Sequence, residues 1–126
     1  MQLDLNFRDE GDFLSCIVCG AYSLADFLRL ADRVFAECRK RGMARAFVDI
    51  TGVTGEIPQI DRYRLGIYCA EKRDRLSRLA VVARRELINW MFENVATNRG
   101  LSTCVSADAA YAQTWLRAEG ASSARG

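Results

Sequence analysis

The sequence predicts an α/β fold: a mostly parallel mixed sheet of about five strands, opened by an antiparallel hairpin and covered by four helices. Three observations predict it. Short apolar or alternating runs alternate with helical patterns in the order β-β-α-β-α-β-α-β-α. The intervals between the later strands are long enough to hold the crossover helices that parallel strands need. The chain has 126 residues, 50% of them hydrophobic and 27% charged, which suits one domain around one core. The domain is expected over residues 1–118, with 119–126 as a small, polar, disordered tail.

Each element has its own signal. "LDLNFR" alternates Leu3, Leu5 and Phe7 against Asp4, Asn6 and Arg8, the period of a half-buried strand. "RDEGD" is a turn, and the more apolar "FLSCIVCG" completes a hairpin. The first helix, "YSLADFLRLADRVFAECRKRG", has Ser23 as its cap and Asp26 three residues on. Leu24, Phe27, Leu28, Ala31, Val34, Phe35 and Cys38 share one face, and Gly42 ends the helix. "AFVDI" is a short buried strand. A second helix runs from Ile60 to Asp74, with Ile60, Tyr63, Ile67 and Ala70 as its inner stripe. Gly66 inside it costs about 1 kcal/mol against Ala, which implies close packing at that point. "LAVVA" is a further strand. "ELINWMFENVATNRG" reads as the third helix, "STCVS" as the last strand, and "DAAYAQTWL" as the last helix, capped near Asp108.

Composition excludes several function classes. A net charge of +2 is far below what nucleic-acid binders concentrate. The longest uncharged run, Phe13 to Ala25, is too short to span a bilayer. The N-terminus shows no basic segment followed by an apolar one, so a cytoplasmic protein is expected. Histidine is absent, which removes the commonest general base and transition-metal ligand. No cofactor and no metal site is expected. The five cysteines are scattered and odd in number, unlike a disulfide framework. "CIVC" has redox spacing but sits in a strand pattern, so its two sulfurs diverge. Buried apolar cysteines are the expectation at all five positions.

Residues "DITG", "IDRYRLG", "VATNRGL" and "AAYAQTWL", in this order of elements, resemble the sulfate-transporter and anti-sigma-factor-antagonist (STAS) domain. The endings resemble the stand-alone bacterial STAS-like or Sec14-like subgroup. The resemblance covers about Asp12 to Leu116. It implies a non-enzymatic regulatory or protein-interaction module, with carriage of a lipid-like or small apolar ligand as the alternative. In antagonist members a serine follows an aspartate at the start of the second helix and is phosphorylated. Here Asp61 occupies the aspartate's place, but Arg62 and Tyr63 follow it. Thr51 and Thr54 are then the candidate modification positions.

The site expected from the sequence is the loop and helix start at 51–64. Its eleven residues from Thr51 to Asp61 exceed a usual connection and follow the carboxyl end of a parallel strand. Arg62 and Arg64 supply positive charge beside free N–H groups of the helix start, and Asp61 is alternatively its cap. Asp49 needs hydrogen-bond donors from its own loop. Catalysis by Asp49 would require Glu56 or Asp61 beside it. On the third helix, Ile88, Met91, Phe92 and Val95 form the core face, which turns Trp90 roughly 140° away from it. An exposed tryptophan beside Leu87 predicts a contact surface, most simply a homodimer. Arg99 precedes the terminating Gly100 and is a further candidate for binding. The clusters "CRKRG" and "EKRDRLSR" are expected to be solvated.

Overall fold

The computed structural model describes residues 1–118; the expected tail, 119–126, lies outside the described residues. Strand β1 (Asp4–Asp9) turns through Gly11 (φ 86°) into β2 (Leu14–Ala21), and the two pair antiparallel. Helix α1 (Leu24–Arg41) carries the chain to β3 (Arg45–Thr54). Helix α2 (Gln59–Lys72) leads to β4 (Arg78–Val82), α3 (Met91–Asn98) to β5 (Ser102–Ser106), and α4 (Ala109–Arg117) follows. The sheet order is β1-β2-β3-β4-β5, parallel from β2 onward. This is the predicted architecture.

Because each parallel strand is laid beside its predecessor in the same direction, the three crossover helices fall on one face. There, Leu14, Cys16, Val18, Ala46, Val48 and Leu79 of the sheet meet Phe27, Val34, Leu65 and Ala96 of the helices. On the other face α4 packs Ala112, Trp115 and Leu116 on Phe13, Phe47, Ala80, Val82 and Cys104. Helix α4 is short, so this second layer is partial. Ile17 and Cys19, on the uncovered part of β2, are exposed, against the expectation that every cysteine is buried.

The helix ends follow local chemistry. Ser23 Oγ accepts the N–H of Asp26 at 3.2 Å, and Gly42 takes the left-handed conformation at φ 68°. The Asp26 carboxylate is buried and accepts the N–H of Gln2, which ties down the N-terminus. Asp108 caps α4 by accepting the N–H of Tyr111. The basic cluster at 71–78 is not wholly solvated. Arg78 is buried and donates to the carbonyls of Trp115 and Ala118, while Arg45 donates to that of Leu116 at 2.8 Å. Two strand arginines therefore satisfy the exposed carbonyl end of α4, where the helix dipole favours a cation.

Three further expectations are corrected. The inner stripe of α2 is Leu65, Cys69 and Ala70 with Gly66; Ile60 is 53% exposed and Tyr63 41% exposed. The close packing expected at Gly66 is present: a Cβ there would lie 2.8 Å from Val95 Cβ. Second, no continuous helix spans 86–100. A 3₁₀ turn at Arg85–Leu87 is followed by extended Ile88 and left-handed Trp90 before α3 begins. Third, β3 does not stop at Ile50. It continues to Thr54 because Cys19–Ala21 of β2 pair with Gly52–Thr54 after a register shift.

Candidate functional site

The longer β3 changes the site at its root. Thr51 and Thr54 are strand residues, and the connection to α2 shrinks to Gly55–Pro58. With strands laid down in sequence order, the parallel part of the sheet has no reversal of winding and no switch-point crevice. What stands at the carboxyl end is a rim, built from the ends of β2 and β3, the start of α2 and the segment before α3.

Tyr22 organises the first part of this rim. Its N–H donates to Thr54 O at 2.9 Å, which holds the ends of β2 and β3 together. Its ring lies edge-on to Phe27, with centroids 4.8 Å apart. Its hydroxyl donates to Asp61 Oδ2 at 2.8 Å. Burial, and next this donation to a carboxylate, push the phenol well above its ordinary range. Asp61 is thus not the cap of α2. The cap position is Pro58, which makes no side-chain bond, and Asp61 lies in the first turn.

Arg62 is turned inward rather than offered to an anion. Its Nε donates to Ile57 O at 2.8 Å and its Nη1 to Leu87 O. Desolvation lowers its pKa. The guanidinium is therefore a strap that joins the start of α2 to the segment before α3. A second strap is Asn89 Nδ2 to Gln59 Oε1 at 2.6 Å. The same amide's Oδ1 accepts the N–H of Met91, steadying the kink at Trp90. Trp90 is 60% exposed and holds φ 73°, a conformation that a bulky residue adopts at a cost of order 1–3 kcal/mol. Its exposure is as expected from the sequence, but the cause is this left-handed turn and not a helical angle. Ile60 and Tyr63, one helical turn apart, share the outer side of α2, and Arg64 beside them is exposed.

The remaining candidates lie apart. Asp49 Oδ1 accepts both the N–H (2.9 Å) and the hydroxyl (2.7 Å) of Thr51, so donors from its own stretch of chain satisfy it, as expected. The pair sits on the face of the sheet that α4 only partly covers. Asp49 bonds to Thr51 and Asp61 to Tyr22; no hydrogen bond joins the two carboxylates to each other or to Glu56. Among the described residues no group of three or more His, Cys, Asp or Glu side chains could hold a metal ion. No helix among them is long and apolar enough to cross a membrane. Arg99 is the exposed C-terminal cap of α3, with Gly100 at φ 110° beyond it, remote from the Tyr22–Asp61 pair in the chain.

Two concavities adjoin the rim. An apolar cleft of about 110 Å³ lies between the sheet and helices α1 and α2, lined by Phe27, Val34, Ile50 and Leu65, with Arg62 also on its wall. A groove of about 460 Å³ lies between the α3 start and the end of β5, flanked by Arg85, Trp90 and Tyr111. Tyr22, Asn89, Gln59 and Arg84, whose Nη2 donates to Val53 O at 3.1 Å, were not found by sequence reasoning. Only Tyr22 offered a signal, as an aromatic residue between a strand and a helix cap.

The fold is shared with solved structures. The crystal structure of an anti-sigma factor antagonist from Mycobacterium paratuberculosis superposes with TM-score 0.63 at 13% identity, covering 92% of this chain and 95% of that one. An uncharacterised DUF3478 protein with a SpoIIAA-like fold, from Shewanella loihica PV-4, superposes with TM-score 0.54 at 21% identity, covering 90% and 93%. No family model and no curated protein matches the sequence. The likeness establishes the STAS-like, SpoIIAA-like fold that the resemblance of the sequence implied.

Proposed function

We infer that this chain is a non-enzymatic regulatory module of the STAS type that docks a protein partner on the rim formed by the α2 start and Trp90. One observation carries the reading. Three large apolar side chains, Ile60, Tyr63 and Trp90, are exposed on two segments strapped together by Asn89–Gln59 and Arg62–Leu87. Exposed aromatic and aliphatic anchors on a rigid base are what a protein contact uses, because little conformational freedom is lost on binding. The left-handed Trp90 adds weight, since backbone strain persists where the surroundings hold a residue in place for a task. Arg64 stands at the edge of this surface, where a charge affects partner choice and association rate more than affinity.

The fold also supports the reading, as the antagonist from Mycobacterium paratuberculosis has the same architecture. The carrier alternative is weaker. A cleft of about 110 Å³ falls short of the several hundred Å³ usual for a ligand pocket. An enzyme using Asp49 or Asp61 has the least support, as each acid is committed to a neighbouring hydroxyl. Modification at Thr51 would displace the Asp49 bond and set a phosphate beside a carboxylate, which like-charge repulsion opposes. Thr54, exposed at the strand end, is the better candidate of the two. Surroundings in the cytoplasm fit the free thiols.

The test compares wild type with Ile60→Asp and Tyr63→Ala as baits in extracts of the source cells. A partner retained by wild type and lost by both variants, with unchanged circular dichroism, is the expected result. Retention of the same proteins by all three would overturn the reading. Trp90 emission gives an independent check, since the other tryptophan, Trp115, is 7% exposed and changes little.

A further inference from the structure

The two edges of the sheet are finished differently. Strand β5 has its outward N–H groups occupied by α3: Thr103 N–H donates to Thr97 Oγ1 at 3.2 Å and Val105 N–H to Glu93 Oε1 at 2.9 Å. Strand β1, at the other edge, is covered by no element among the described residues. An unpaired edge is a template for a further strand unless something blocks it.

The hairpin fixes which groups β1 presents. Glu10 N–H donates to Phe13 O at 3.0 Å, and the register continues through Arg8–Ser15, Asn6–Ile17 and Asp4–Cys19. Hydrogen-bonded pairs alternate in an antiparallel ladder, so these residues turn their backbone groups toward β2. Leu5, Phe7 and Asp9 turn theirs outward. Side chains alternate too. Asp4, Asn6 and Arg8 are exposed on one face, while Leu5 and Phe7 are half-buried on the helical face, with Arg33 stacked 5.5 Å from the Phe7 ring.

We propose that β1 pairs antiparallel with β1 of a second copy, about a twofold axis at Asn6, to form one continuous sheet. The strand is self-complementary about that residue. Asn6 meets Asn6 of the second copy, Leu5 meets Phe7, and Asp4 meets Arg8, each contact made twice by symmetry. The outward groups of Leu5 and Phe7 then form the hydrogen-bonded pairs, and Asp4–Arg8 falls in the closer, non-hydrogen-bonded position. Sliding the register by two residues separates these charges. Shifted one way, it sets Asp4 against Glu10. Neither Asp4 nor Arg8 has an ion-pair partner within the described residues, so both are free to choose this register. The half-exposed edges of Leu5 and Phe7 are covered at the same time. The pairing is separate from the Trp90 rim, and so leaves that rim open.

Charge exchange tests it in the full chain. Sedimentation velocity over a dilution series should show a concentration-dependent dimer for wild type, of micromolar affinity or weaker because two short strands bury less than the ~1,200 Å² of a standard interface. Asp4→Arg and Arg8→Asp each set like charges opposite one another twice, and should each weaken the dimer roughly tenfold or more. Mixed in equal amounts, the two variants should associate with each other, since every 4–8 contact is then between opposite charges. The double variant should dimerise like wild type. A wild type that stays monomeric throughout overturns the proposal, as does a dimer indifferent to the single changes or variants that fail to recover on mixing. Loss of partner capture by Ile60→Asp, with this dimer intact, separates the two surfaces.

Discussion

At the scale of the residue, Trp90 concentrates strain, exposure and position. A left-handed backbone penalises any side chain with a Cβ, and only glycine escapes it. Most of the ring lies in water, so its removal forfeits little burial. Trp90→Gly should therefore be as stable as wild type or about 1 kcal/mol more so, whereas Trp90→Ala keeps the strain and should be slightly less stable. Urea denaturation ranks the three; an alanine variant more stable than the glycine variant would mean that position 90 is not strained. The exposure of this residue was legible in the sequence and its cause was not. The apolar spacing of the sequence carries a helical period through Ile88 and Trp90, yet the 3₁₀ turn and the left-handed residue break its phase. Tyr22 and Asp61 were illegible for another reason. They are 39 residues apart, and no local pattern pairs a tyrosine with a distant acid.

At the scale of the element, the contact between α2 and α3 turns on one missing side chain. Gly66 is buried, and a Cβ on it would stand 2.8 Å from both Val95 Cβ and Val95 Cγ1 and 3.3 Å from Phe92 O. Helix propensity alone would make Gly66→Ala stabilising by about 1 kcal/mol. Overpacking against a branched side chain and a backbone carbonyl outweighs it, so the expected net change is a loss of about 1–2 kcal/mol. Val95→Ala also destabilises, but removes Cγ1. The double variant should then be less damaged than the sum of the singles, by on the order of 0.5–1 kcal/mol in a double-mutant cycle. Strict additivity would show that the helices part there instead. The sequence indicated this close approach because glycine in a helix interior has few other uses. It misplaced the rest of the stripe because Ile60 and Tyr63 are apolar yet face solvent. The end of β3 was hidden by Thr51, Gly52 and Gly55, which read as a turn. The strand continues because β2 supplies a partner, and because Gly52 leaves room for the Cys19 sulfur, which would lie 2.8 Å from a Cβ there.

At the scale of the whole molecule, the fold was legible because crossover order and amphipathic spacing are global patterns, each repeated several times along the chain. The rim at the carboxyl end was legible only in part, because its two straps are side-chain bonds from the start of α2 to the segment before α3, between residues far apart in the chain. The core carries a further signature, which is its thiols. Burial pushes Cys16 and Cys69 up to about 12, and Cys38 up to about 11, from an ordinary value of 9.0. The folded chain therefore keeps protons that the unfolded chain releases. Such groups contribute their full stability below the unfolded value, and that contribution fades as pH rises through the folded values. Stability should be level up to about pH 9 and fall steadily between about 9 and 12. Tyr22, also raised, extends the decline above its ordinary 10.0. Cys69→Ala should lower stability near neutral pH through the lost packing, and should also make the alkaline decline shallower. Parallel declines in wild type and Cys69→Ala would place the alkaline sensitivity outside the buried thiols.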